Sequence, residues 1–205
     1  MRQVKKFIAI GMLPVWLVGC ATSSTYVDPN GQRTVVNVGK INIQDFSTAA
    51  DAFIQTILGK LAEGQLQSSE PGEPAVMAIS RISNNTTAHL DTDQLVKKMR
   101  IELNRSGKIL TTTTLGYGGV EDPLAKETQE YLAMTGRGSG QRLPDYTLTG
   151  KILEDYARDG RTKQVSYIFQ MSLTDQAGLA IWEDEKIITK QGKSGAVGWW
   201  LDIFP

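Results

Sequence analysis

Few residues in this 205-residue chain are equipped for covalent or acid–base chemistry. It has one histidine, His89, and one cysteine, Cys20. A Ser-His-Asp hydrolase would have to use His89, yet no G-x-S-x-G elbow accompanies it, and a solvated turn histidine is the simpler reading. One His, no second Cys and no EF-hand spacing of acids leave no metal site to expect. The acidic neighbours Glu154-Asp155 and Glu183-Asp184-Glu185 could suggest cleavage of glycans. On a strand, however, adjacent side chains point to opposite faces, so these carboxylates do not converge. Gly136-x-Gly138-x-Gly140 lacks the last glycine of a dinucleotide fingerprint and leads into no helix. Gly192-Lys193-Ser194 resembles the end of a phosphate loop, but Ile187 stands where the first glycine belongs. Asn84-Asn85-Thr86-Thr87 could line a ligand loop; the simpler role is to satisfy backbone groups at a strand end. The chain is therefore expected not to be an enzyme.

Cys20 is the exception, a soft nucleophile placed where modification is expected. Arg2, Lys5 and Lys6 precede an apolar run from Phe7 to Val18, which is the layout of a secretory signal. The run is about a dozen residues, short of the roughly 20 that span a bilayer, and Pro14 interrupts it. Leu17-Val18-Gly19-Cys20 resembles the lipobox of bacterial lipoproteins. That resemblance implies cleavage between Gly19 and Cys20, a diacylglyceryl group on the sulfur and an N-acyl chain. Such a set of chains exceeds the two signals that stable anchoring requires. Ala21 follows, not the Asp that would favour inner-membrane retention. The expected location is the outer membrane, lipid-anchored and facing the periplasm. Apart from these acyl chains no cofactor is expected.

The formal net charge is zero, and loss of residues 1–19 leaves 19 basic against 22 acidic side chains. No block of Lys or Arg stands out, so neither nucleic acid nor an anionic lipid surface is an expected partner. With its only cysteine lipidated the domain has no disulfide to draw on, and packing must stabilise it.

The pattern divides the chain into a signal peptide (1–19), a lipidated Cys and tether (20–46), a globular domain (47–190) and an apolar tail (191–205). Phe53, Ile54, Ile57, Leu58 and Leu61 recur at helical spacing, with Ser47 as cap and Gly64 as stop. Ala75 to Ile82 reads as a buried strand. Asp91 with Gln94 forms a capping box for a second helix, whose stripe is Leu95, Val96, Met99 and Leu103 and whose terminator is Gly107. Lys108 to Leu115 is strand-like. Asp122 and Pro123 start a third helix, with Leu124, Thr128, Tyr131 and Leu132 expected to face inward. Asp145–Tyr156, Lys163–Asp175 and Leu179–Thr189 then read as three strands of an antiparallel meander. The expected class is α+β: a mixed, mainly antiparallel sheet with helices on one face.

Several of these pieces carry a resemblance. Ile82-Ser83-Asn84-Asn85-Thr86 resembles the (V/I)-x-N-x-T signature of the LpoB-like lipoproteins. The helix end Leu103-Asn104-Arg105-Ser106-Gly107-Lys108, the strand Asp145-Tyr146-Thr147-Leu148-Thr149-Gly150 and the Gln170–Ile188 hairpin agree with it. The resemblance spans roughly Ala75 to Thr189 plus the lipobox. It implies a fold like the N-terminal domain of TolB and an outer-membrane lipoprotein that activates a bifunctional penicillin-binding protein. The chain departs from that family in having a short, nearly Pro-free tether and a Gly-rich loop before Leu143-Pro144-Asp145-Tyr146.

The implied partner is thus a bifunctional penicillin-binding protein. Tyr117, Arg137 and Arg142, on Gly-rich connections, are candidate partner-facing residues. Trp199 and Trp200, in Gly198-Trp199-Trp200-Leu201-Asp202-Ile203-Phe204-Pro205, are candidates for a partner anchor, for an interfacial membrane contact or for packing back on the first helix. A second reading, suited to the short tether, is a structural lipoprotein of an envelope secretion or appendage assembly.

Overall fold

The computed structural model describes residues 25–29, 31, 34–113, 123–136 and 142–193. Its elements, in chain order, are α1 (Ile43–Ala62), β1 (Ala75–Asn85), α2 (Asp93–Arg105), β2 (Ile109–Thr111), α3 (Pro123–Met134), β3 (Tyr146–Asp159), β4 (Thr162–Asp175) and β5 (Ala180–Lys193). They form a five-stranded sheet in the order β2-β1-β3-β4-β5. β1 runs parallel to β2 and to β3, while β3, β4 and β5 are antiparallel neighbours, so the sheet is mixed. The α+β class and the meander are as the periodicity implied.

One sheet face is apolar because β3 alternates around Leu148 and Ile152 and β4 alternates from Tyr167 to Leu173. Leu148 and Ile152 on β3, and Tyr167, Phe169, Met171 and Leu173 on β4, are all buried. α1 and α2 close this face. Phe46 of α1 meets the Phe169 ring edge-on at 6.2 Å, and Phe53 meets Trp182 at 6.1 Å. Such edge-to-face contacts add about 0.5–1.5 kcal/mol each beyond area burial. α2 ends where expected: Gly107 takes φ +67°, a left-handed conformation that costs glycine nothing. The side-chain amide of Asn104, one turn earlier, pairs with the short edge strand. Its Nδ2 donates to Thr111 Oγ1 (2.8 Å), and the Thr111 N–H donates to its Oδ1 (2.8 Å).

Gly150 marks the tightest point of the sheet. A Cβ there would lie 2.3 Å from Met171 Sδ and 2.7 Å from the Gln170 carbonyl oxygen. The thioether can swing away, but the carbonyl belongs to the β3–β4 ladder. Gly150→Ala is therefore expected to cost about 1–3 kcal/mol through overpacking, read as a lower urea midpoint with an unchanged slope.

Three expectations need correction. α1 begins at Ile43 after Asn42, not after Ser47. The Asp45 carboxylate accepts the Asn42 N–H (2.6 Å), which fixes the earlier start. Phe46 and Asp45 are buried, and Val38 and Ile41 pack against the core, so the domain takes in residues assigned to the tether. α2 begins at Asp93 with Thr92 as its cap; Asp91 still accepts the Asp93 N–H at 3.0 Å. Helical φ and ψ at Thr92 explain the one-residue shift. α3 forms, but Leu124 (71 % exposed), Thr128, Tyr131 and Leu132 lie at the surface instead of facing inward. A helical period records an apolar stripe; it does not record whether a neighbour covers it. Asp122, the expected cap of α3, lies outside the described residues.

Candidate functional site

The other sheet face is open. A register shift between Ile79 and Ile82 of β1 lets Ile82 return to the core while Arg81 projects outward. Ser83 follows two residues on along β1, and alternation on the neighbouring strands adds Lys151, Gln170, Ser172, Glu183 and Glu185; all line a shallow cleft of about 830 Å³ with Arg81. Gln170 Nε2 donates to Glu185 Oε2 (2.6 Å) and Ser172 Oγ to Glu183 Oε1 (3.0 Å), so the acidic side is held in place. The basic side, Arg81 and Lys151, sits across the sheet on β1 and β3. This is a polar surface with separated charges, suited to ion pairing and hydrogen bonding with a macromolecule.

The candidates for chemistry fall apart in space. His89 is exposed. Glu154 turns away from Asp155 and accepts the Thr87 N–H and hydroxyl, both at 2.8 Å. The Asn84-x-Thr86 pair is a self-contained turn: Asn84 Oδ1 accepts the Thr86 N–H (3.0 Å), and Nδ2 donates to the Ala88 carbonyl (2.8 Å). These residues end β1 with its backbone groups satisfied. Among the described residues no three His, Cys, Asp or Glu are grouped to hold a metal.

Of the candidate site residues, Gly19, Cys20, Tyr117, Arg137, Trp199 and Trp200 lie outside the described residues. Arg142 lies within them and is turned inward: its guanidinium bonds Ser68 Oγ and pairs with Asp145 (3.3 Å) and Glu73 (3.6 Å). Asp145 is buried, and also accepts the Val76 N–H (2.7 Å) and the Ser69 N–H (3.0 Å). Burial pushes this carboxyl upward in pKa, but the Ser69 and Val76 hydrogen bonds and Arg142 together hold it below its usual range. The cluster clips the loop after α1 to the start of β3.

A second polar cluster was not legible in the sequence. Lys190 of β5 is buried and forms an ion pair with buried Asp45 in the first turn of α1. Its ammonium also donates to the Lys40 carbonyl (2.8 Å) and stands 5.5 Å from the Tyr167 ring centroid. Burial, with the negative charges of Glu154 and Asp45, pushes the Tyr167 phenol up to about 12, so it stays a hydrogen-bond donor. It donates to the Val38 carbonyl (3.4 Å). Lys190 and Tyr167 thus fasten the arm before α1 to the last two strands. The available signal was parity: Lys190 shares the core-facing parity of Trp182 on β5.

These features define a small α+β domain with one sheet face closed by helices and the other open, polar and charged. The chain belongs to the family described as peptidoglycan-synthase activator LpoB, whose model matches residues 45–188. The family is described as one of activators of peptidoglycan synthases. Among solved structures it is similar to the LpoB C-terminal domain from Escherichia coli, at 15% identity and a TM-score of 0.41 over 71% of this chain and 99% of that one. The NMR structure of E. coli LpoB is 16% identical, with a TM-score of 0.40 over 94% of each chain. Lipoprotein GNA1162 from Neisseria meningitidis is 12% identical, with a TM-score of 0.38 over 63% of this chain and 92% of that one. No curated protein matches the sequence. Among the described residues no helix is long and apolar enough to cross a membrane.

Proposed function

We propose that this protein is an outer-membrane lipoprotein, anchored through acyl chains on Cys20, that binds a bifunctional penicillin-binding protein and raises its peptidoglycan synthesis. The observation that carries the reading is the family match, which covers β1 to β4, most of β5, α2 and nearly all of α1. The lipobox Leu17-Val18-Gly19-Cys20, followed by Ala21, supports the anchor and the membrane. The domain acts as a ligand: it binds the synthase's active conformation more tightly than the inactive one and shifts the population by that difference. We assign the open sheet face, with Arg81 and Lys151 opposite Glu183 and Glu185, to the contact.

The test mixes residues 21–205 with the host's bifunctional penicillin-binding proteins and follows binding and glycan polymerisation together. Binding with faster polymerisation is expected, and Arg81→Glu with Lys151→Glu is expected to weaken binding at least tenfold, since reversed charges at a contact cost several kcal/mol. A chain that binds none of these synthases overturns the activator reading.

A further inference from the structure

Beside its charged cleft, the open sheet face carries a short apolar row. Leu153 of β3 pairs with Ile168 of β4, and Ile168 pairs with Ile187 of β5, so the three stand side by side across the strands. Ile187 is 52 % exposed and the other two are half-buried, while α1 and α2 pack on the opposite face. Alternation places the next rows of this face about 7 Å away on either side. One is Lys151–Gln170–Glu185 and the other is Asp155–Ser166–Thr189. The charged row has its cation on β3, its anion on β5 and a neutral amide on β4 between them. With strands about 4.8 Å apart, Lys151 and Glu185 stand at equal distances on the two sides of β4.

That arrangement is its own complement. A two-fold axis along β4, between two facing sheets, sets β3 of one copy over β5 of the other and β4 over β4. Lys151 then faces Glu185 of the second copy, and Glu185 faces its Lys151. Ile168 meets its own counterpart and Leu153 lies over Ile187, so the apolar row is covered by itself. Thr149 shares a row with Ser172 and Glu183 and comes to face Glu183, while Asp155 comes to face Thr189. Each of those hydroxyls can donate to the carboxylate it meets. Arg81, on β1 and one strand further out, extends toward the same Glu183. A two-fold axis across the strands would pair Lys151 with Asp155 but leave Glu183 and Glu185 without a cation. Aligned sheets pack about 10 Å apart, a gap that facing side chains of this length fill.

We infer that two copies of this chain pair through their open sheet faces, about a two-fold axis along β4, each covering the other's Leu153–Ile168–Ile187 row. Such an interface is isologous and closes at two copies. The synthase contact proposed above uses the same face, so pairing and that contact exclude one another; this consequence rests on the proposed function, whereas the pairing does not.

Sedimentation of residues 21–205, which keep every described residue, tests the pairing. A reversible dimer is expected. Lys151→Glu and Glu185→Lys each set like charges face to face, and each is expected to raise the dissociation constant at least about tenfold. Mixing the two variants restores both ion pairs in the heterodimer, so the mixture is expected to associate about as strongly as the wild type. A wild type that stays monomeric up to about 1 mM, a dimer indifferent to both substitutions, or a mixture as weak as either variant alone would each overturn the pairing. Circular dichroism confirms that the variants are folded. Synthase binding is read separately: a dimer that binds no synthase keeps the pairing and removes only its consequence, and a monomer that activates one overturns the pairing and leaves the proposed function in place.

Discussion

Lys190→Met is expected to lower the unfolding free energy by about 3–5 kcal/mol, because it strands the buried carboxylate of Asp45 without its cation. The pair joins residues 145 positions apart and lies beside the Lys40 carbonyl, so its loss also loosens the arm before α1. Methionine keeps most of the lysine stem's volume, which separates the electrostatic effect from a cavity. Asp45→Asn retains an acceptor for the Asn42 N–H but leaves Lys190 as the unmatched charge. The double variant is expected to be clearly more stable than the sum of the two losses predicts, since neither partner then remains charged. Urea unfolding of the four proteins checks this. Additive losses would mean that the ion pair contributes nothing of its own.

Asp145→Ala is expected to cost about 3 kcal/mol or more, since it leaves the Val76 and Ser69 N–H groups without their acceptor and Arg142 without its closest carboxylate. The same carboxylate makes stability depend on acid. Its folded pKa lies below the ordinary 3.8, so the unfolded chain binds the proton more tightly. The contribution is therefore fully present above pH 3.8 and is lost as pH falls through the lower folded value. Unfolding free energies of the wild type are expected to drop through that window. Asp145→Asn is expected to start lower and to show a shallower drop. An unchanged acid limb in the Asn variant would remove Asp145 from this role.

Local rules wrote much of this molecule. The alternation Phe169, Met171, Leu173 against Gln170, Ser172 and Thr174 determined which face of β4 is buried. Gly107 determined where α2 stops, and Asn84 and Thr86 determined how β1 ends. The segment from Ala75 to Thr189 carried enough of the family's pattern for the resemblance to be seen without a structure. Each of these features is local: a period, a cap or a turn is decided by neighbours in the chain.

Tertiary structure decided the rest. Asp45 and Lys190 are ordinary charged residues in sequence, and only the approach of α1 to β5 buries them together. Arg142, on a Gly-rich connection, looked free for a partner, but the loop after α1 supplies Ser68 and Glu73 to hold it. α3 has an apolar stripe that its own helix writes, yet the sheet and the other helices offer it no cover at Leu124 and Tyr131. The sequence by itself determined the class, the core parity and the anchor motif, because those depend on near neighbours. Which charges are buried, where the domain begins and which sheet face stays open depend on contacts between residues far apart in the chain.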